Sequence, residues 1–231
     1  MAIIAINVFV YFFLQKGGIN GPSDSSVVNY ALIPYEVSHP GQHCALEGQQ
    51  IACGSGIDTA QPATWLTLFF AMFMHGGLLH LGGNMLFLWI FGNNVEDSMG
   101  YPRFLVFYLL GGLAATAAQV AIDPSSTVPT LGASGAIAAV LGGYAVLYPR
   151  ARVLTLIFII IFVTVIELPA LLVLGVWFLL QLLDASSQPL QGGGVAYFAH
   201  IGGFIFGLLL IRVFATHPQD DYDSRSRIPV Y

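Results

Sequence analysis

The stretch FLVFYLLGGLAATAAQVAI (residues 104–122) decides the fold, because it contains no Asp, Glu, Lys or Arg. It has the length of about 20 apolar residues that an α-helix needs to cross the hydrocarbon of a bilayer. Residues 59–95, 124–149 and 185–211 of the 231-residue chain lack charged side chains in the same way. The chain is therefore predicted to be an all-α polytopic membrane protein, since a helix satisfies its own backbone in lipid.

The composition of the whole chain excludes several other classes of protein. Apolar residues make up 56% of it and charged residues only 8%, against about 25% charged residues in a soluble domain. Seven Lys and Arg are too few for a nucleic-acid-binding surface. The two cysteines, Cys44 and Cys53, exclude a disulfide-rich scaffold, and continuous apolar runs argue against a β-barrel, whose strands alternate.

Six membrane spans are predicted. The first, residues 1–14, is short for a crossing and looks truncated at its start. Residues 59–95 are too long for one crossing, so Gly76 and Gly77 are expected to break them ahead of a second span over residues 78–91. The other spans are predicted over residues 104–122, over residues 131–148, once between residues 152 and 185, and over residues 195–214.

Residues 153–183 fit either two short spans or one span with an interfacial segment, and the distribution of positive charge decides between them. With one crossing, Lys16 lies alone on one side of the membrane, and all the arginines share the other side: Arg103, Arg150, Arg152, Arg212, Arg225 and Arg227. Both termini are then cytoplasmic. Residues 153–166 follow the inner interface, and residues 15–62 face outward, where Cys44 and Cys53 could form a disulfide.

Four polar side chains are predicted to share one depth in the outer half of the membrane. At 1.5 Å per helical residue, His80, Asn84, Ser134 and His200 lie roughly 5–10 Å below the outer surface. Each alone has an ordinary structural reading: a serine in a Gly/Ala-rich helix serves packing, and an asparagine joins helices. Together they are the groups needed for acyl transfer, namely a hydroxyl nucleophile, an imidazole base and oxyanion donors. No Asp or Glu is expected at this depth to orient the base, which points to a dyad.

Three motifs resemble those of rhomboid intramembrane serine proteases. Gly132, Ser134 and Gly135 form a GxSG sequence. His75, His80 and Asn84 match the family's second-helix pattern, and His200, Gly203 and Gly207 match its AHxxGxxxG motif in the last helix. The resemblance implies a six-helix bundle, which we assign to residues 1–215. The polar composition of residues 216–231 predicts a disordered cytoplasmic tail.

The resemblance also implies a role for each matching residue. Ser134 would be the nucleophile and His200 the general base, while His80, Asn84 and the Ser134 amide would form the oxyanion hole. Residues 185–194 would be a mobile cap over the site. Ala138 departs from the family pattern, because many members carry an aromatic residue there that packs on the histidine.

The function expected from this resemblance is cleavage of single-pass membrane proteins in the cell membrane, without a cofactor, a metal or a nucleic-acid partner. The alternative is a catalytically silent relative that binds membrane clients. A transporter is less favoured, because the polar groups cluster at one depth and no inverted repeat is visible. A metalloprotease is disfavoured by the lack of an HExxH motif.

Overall fold

The computed structural model describes residues 2–19, 21–48, 50–57, 61–159, 162–187 and 196–216. The predicted cap lies outside the described residues from residue 188 to 194, and the predicted tail does so from residue 217. The three described cap residues, 185–187, instead continue the preceding helix.

The described part of the chain is mostly helical. The first helix, α1, runs over Ala2–Phe9 and continues as a π-helical turn over Val10–Leu14. An outer segment follows with α2 (Asp24–Tyr30), α3 (Pro34–Ser38), β1 (His43–Glu47) and β2 (Gln50–Gly54). The helix α4 (Thr64–Phe70, with a 3-10 turn over Ala71–Phe73) precedes α5 (Leu78–Met99), α6 (Tyr101–Ile122) and α7 (Ser134–Leu147). A hairpin of β3 (Arg152–Ile159) and β4 (Phe162–Pro169) leads into α8 (Ala170–Ser187) and α9 (Tyr197–Phe214).

Two described helices, α6 and α9, are long and apolar enough to cross a membrane, and the bent pair α4–α5 would make a third span. The two helices of that pair meet at an angle of 78°. The bend lies between Phe73 and Leu78, which confirms the predicted break at Gly76 and Gly77. Three further apolar helices are shorter: Ala2–Leu14, Ser134–Leu147 and Ala170–Leu183.

The chain is mostly helical, as predicted, but it is not all-α, because two antiparallel hairpins are present among the described residues. The pair β3–β4 runs in register from Arg152 opposite Pro169 to Ile159 opposite Phe162. Its sequence is rich in Val, Ile, Phe and Thr, which favour strands. Pro169 ends the hairpin and α8 starts at the next residue, so residues 153–187 contain a single described helix.

The bounds of two helices differ from those of the predicted spans. The second span was expected to end at Phe91, but α5 continues to Met99, and Gly100 ends it with a φ of +79° that favours glycine. The fourth span was expected from residue 131, but α7 begins at Ser134. Residues 131–133 are not helical, whereas the depth predicted for Ser134 assumed helical rise through them.

The outer segment is folded and bound to the helical bundle. Cys44 lies opposite Cys53 in the β1–β2 hairpin, and the two form a disulfide. Leu32 exchanges two backbone hydrogen bonds with Thr130, at 3.0 and 2.7 Å. The outer segment is thereby held against the loop that leads into α7.

The helix α7 is the centre of the bundle, and its residues from Ala136 to Tyr144 are all buried. It packs against α9 with almost no side chain between the two backbones. A Cβ atom on Gly203 would lie 2.1 Å from the Gly135 carbonyl oxygen, and one on Gly207 would lie 1.9 Å from that of Ala139. Such contacts are typical of small-residue packing between membrane helices.

We expect Gly207→Ala to destabilise the protein, because the added methyl group must push α9 away from α7. The expected cost is about 1–3 kcal/mol, measured as a lower Tm in detergent. The control is Gly175→Ala in α8, where a Cβ meets nothing within 4 Å and alanine improves helix propensity by up to about 1 kcal/mol. Equal losses of stability in the two variants would contradict the proposed packing.

Glu36 in α3 predicts a pH dependence of stability. Its carboxylate accepts the Cys44 N–H at 2.7 Å, and burial raises its pKa above the ordinary value of 4.5, although the Cys44 bond and the charge of His43 oppose the shift. A carboxyl with a raised pKa binds its proton more tightly in the folded state, so its contribution to stability is lost as pH rises through the folded pKa.

Glu36→Gln keeps an acceptor oxygen and removes the buried charge. We expect a higher Tm than that of the wild type at pH 8 and a smaller difference near pH 4. The same change at the exposed residue Glu47 serves as the control. Curves of Tm against pH that run parallel for wild type and Glu36→Gln would refute this assignment.

Candidate active site

A cavity of about 540 Å³ lies at the start of α7. Its lining comes from α5 to α9, from the turn after α4, from Leu32 of the outer segment and from the loop before α7. It brings together the polar residues that were predicted to meet, namely His80, Asn84, Ser134 and His200, with Gly132 and Gly135 beside them.

The Ser134 and His200 side chains are in hydrogen-bond contact, with 2.7 Å between Oγ and Nε2. Ser134 is the first residue of α7, and His200 lies in the first turn of α9. Gly135 and Gly203 follow them closely in sequence and form the backbone contact between the two helices. The absence of side chains at these glycines therefore lets the hydroxyl and the imidazole meet. His200 is only 8% exposed.

The other nitrogen of the His200 ring contacts a residue that the sequence reasoning missed. The Oε1 atom of Gln181 in α8 lies 2.6 Å from His200 Nδ1. Only Asp and Glu were expected as groups that could orient the His200 ring, so a neutral amide in that place was not predicted. One signal was present in the sequence, because Gln181 is the single polar side chain among residues 170–183.

Trp177, also in α8, packs on the same ring, with 5.8 Å between the ring centroids. It covers His200 from a helix other than α7, where Ala138 stands in place of the aromatic residue of many relatives. Trp177 and Gln181 are four residues apart and share one face of α8. The imidazole is therefore held from α8 by one tilted ring contact and one hydrogen bond.

His80 and Asn84, one turn apart on α5, offer two possible donors to the cavity. His80 Nδ1 accepts the Gly76 N–H at 3.3 Å, so in the neutral ring the proton lies on Nε2. A Cβ on Gly132 would lie 2.8 Å from that Nε2, and this residue has a φ of +131° that favours glycine. The buried Nδ2 of Asn84 has no acceptor among the described residues.

The remaining predicted residues lie behind the cavity. His75 is fully buried and packs edge-on against His80, with 5.1 Å between the centroids. Its backbone is held by Gln15 at the end of α1, whose side chain accepts the His75 N–H at 2.9 Å and donates to its carbonyl at 3.1 Å. Gly203 and Gly207 serve the α7–α9 contact. In the described part of the chain, no group of three or more His, Cys, Asp or Glu residues could hold a metal ion.

Comparison with known proteins identifies the family. Residues 62–217 match the Rhomboid domain, so the chain belongs to the rhomboid family. It is 30% identical over 151 residues to the mitochondrial rhomboid protein 1 of Saccharomyces cerevisiae, covering 62% of this chain and 40% of that protein.

Two further relatives come from a bacterium and a plant. The chain is 32% identical over 139 residues to the rhomboid protease GluP of Bacillus subtilis, covering 60% of this chain and 22% of the relative. It is 30% identical over 171 residues to RHOMBOID-like protein 5 of Arabidopsis thaliana, covering 70% and 48%. The chain spans less than half the length of each of these relatives.

We expect Gln15→Leu to destabilise the protein strongly, because it leaves the buried N–H and C=O of His75 without their side-chain partner. Each unsatisfied group costs about 1–3 kcal/mol, and the loss is measured as a fall in Tm. The control is Gln50→Leu on the exposed side of β2, which should change stability by about 0.5 kcal/mol or less. A Tm for Gln15→Leu within error of the wild type would show that the two hydrogen bonds between Gln15 and the His75 backbone contribute nothing to stability.

Proposed function

We propose that this protein is an intramembrane serine endopeptidase that cleaves peptide bonds in or near the transmembrane segments of single-pass membrane proteins. The observation that carries the proposal is the 2.7 Å contact between Ser134 Oγ and His200 Nε2 in a cavity of the helical bundle. Membership of the rhomboid family and the similarity to a relative named a rhomboid protease support it.

In the proposed reaction, His200 Nε2 takes the hydroxyl proton of Ser134 while Oγ attacks the scissile carbonyl carbon. The imidazolium then gives that proton to the leaving amine, and an ester remains on Ser134. Water attacks the ester, with His200 again accepting and returning a proton, and the carboxylic product leaves. A serine hydroxyl is a weak nucleophile without such a base.

The oxyanion formed at each attack is assigned three donors: the backbone N–H of Ser134, the Nε2–H of His80 and the amide of Asn84. Ser134 opens α7, so its N–H has no acceptor within that helix. The positive end of the α7 dipole also favours negative charge at this point. His80 and Asn84 face the same cavity from α5.

The substrate must reach this site as an extended strand, because a helix hides its carbonyl groups in its own hydrogen bonds. We therefore assign a preference for membrane segments with helix-weakening residues. Access from the outer side of the membrane is supported by the folded outer segment, which is hydrogen-bonded to the loop before Ser134.

The proposed topology has six spans formed by α1, the α4–α5 pair, α6, α7, α8 and α9, with both termini in the cytoplasm and the domain in the cell membrane over residues 1–215. The distribution of arginines supports this orientation. The β3–β4 hairpin then lies on the cytoplasmic side.

The decisive experiment labels the detergent-purified protein with a fluorophosphonate, which bonds to an activated serine with loss of fluoride. We expect the wild type to be labelled and Ser134→Ala not to be labelled. Ser134→Ala should also cleave a tagged single-pass substrate about 10³-fold more slowly than the wild type, or slower still. His200→Ala should reduce labelling as well.

Ser25→Ala, at an exposed serine of α2, is the matched control and should label like the wild type. Labelling that survives Ser134→Ala would end the proposal. A wild type that neither labels nor cleaves any membrane substrate would favour the silent, client-binding alternative.

A further inference from the structure

The Gln181 amide stands on an otherwise apolar helix. The residues of α8 that face away from the bundle are exposed leucines and valines, among them Leu172, Val176 and Leu180. Gln181 itself is only 9% exposed. A buried amide in such surroundings is costly unless it is hydrogen-bonded, and the described partner of its oxygen is the ring of His200.

The chemistry of this contact fixes the tautomer of the base. An amide oxygen can only accept a hydrogen bond, so at 2.6 Å the Nδ1 atom of His200 must carry the proton. In a neutral imidazole, Nε2 is then unprotonated and is free to accept from Ser134. The opposite tautomer would point an N–H at the hydroxyl and could not act as a base toward it.

The geometry of α8 also restrains the orientation of the ring. Trp177 contacts the imidazole with its ring tilted by 39°, and Gln181 binds the Nδ1 atom one turn further along the same helix face. Phe178 packs on Phe204 of α9, with 4.6 Å between the ring centroids, and brings the two helices together next to this contact. Rotation of the His200 ring would break both the contact with Trp177 and the hydrogen bond.

We infer that Gln181 is a positioning residue that holds His200 in the Nδ1-protonated tautomer and so completes a neutral Ser–His–Gln relay in place of the expected dyad. This inference rests on the proposed function for its effect on rate. The tautomer itself can be observed without any catalysis, so the two claims can fail separately.

The first test is nitrogen NMR of the histidine side chains in ¹⁵N-histidine-labelled protein in detergent, with the His200 signals assigned by their loss in His200→Ala. The wild type should show a protonated Nδ1 and an unprotonated Nε2. In Gln181→Leu, which replaces the amide with an apolar side chain of similar size, the Nε2-protonated form should become populated. Identical His200 signals in wild type and Gln181→Leu would overturn the inference.

The second test uses the kinetics of substrate cleavage. Gln181→Leu should lower kcat about ten- to a hundredfold, the effect of one hydrogen bond to a group that becomes charged, with KM changed by about twofold or less. Gln181→Glu should restore most of kcat, because a carboxyl group offers an acceptor oxygen in both protonation states.

Gln119→Leu in α6 is the matched control. Gln119 Oε1 accepts the N–H of Ala199, the residue before His200, at 3.3 Å. The variant therefore loses a hydrogen bond to the backbone beside His200 but keeps the contact between Gln181 and the His200 ring. It should keep the wild-type tautomer and most of kcat. A fall in kcat equal to that of Gln181→Leu would show a general structural effect and would contradict a positioning role.

The same samples separate the two claims. A wild type that is not labelled by fluorophosphonate would refute the protease assignment, while its NMR signals still decide whether Gln181 sets the tautomer. Labelled wild type with an unchanged tautomer in Gln181→Leu would leave the protease assignment standing and refute the role of Gln181.

Discussion

The backbone contact between α7 and α9 is the constraint on which the rest of the site depends. Gly203 and Gly207 lie so close to the carbonyl groups of Gly135 and Ala139 that no Cβ fits between them. This contact sets the separation of the two helices, and the separation sets the distance from Ser134 to His200. Two other helices add side chains to this pair. The helix α5 brings His80 and Asn84 to the cavity, and α8 brings the Trp177 ring and the Gln181 amide oxygen to the His200 ring.

Much of this arrangement could be predicted from the sequence, because the motifs carry it locally. The motifs indicated that His80, Asn84, Ser134 and His200 would meet. Glycines lie around Ser134 and after His200, and His80 and Asn84 are one turn apart. The structure brings the four side chains to one cavity. The break before α5 followed from Gly76 and Gly77. These features depend on a few neighbouring residues, and simple helix geometry is enough to relate them.

The features that were missed depend on contacts between distant parts of the chain. Gln181 is an ordinary amide until the fold places it beside the ring of His200, and Trp177 can replace an aromatic residue on α7 only because α8 packs there. The β3–β4 hairpin has the same apolar composition as a span, so hydropathy could not separate the two. The non-helical backbone before Ser134 was also missed, because helical rise was applied to that loop.

The glycine contact between α7 and α9 also limits how this scaffold can be redesigned. Glycine has no smaller replacement, and any larger residue meets a backbone carbonyl, so a substitution at Gly203 or Gly207 changes the distance between Ser134 and His200 rather than the walls of the cavity. The walls contributed by α5 and α8 do carry side chains that border the cavity, such as Phe87 and Trp177. For the proposed protease, directed evolution toward new cleavage sequences should therefore accumulate its changes on those two helices and leave the α7–α9 contact unchanged.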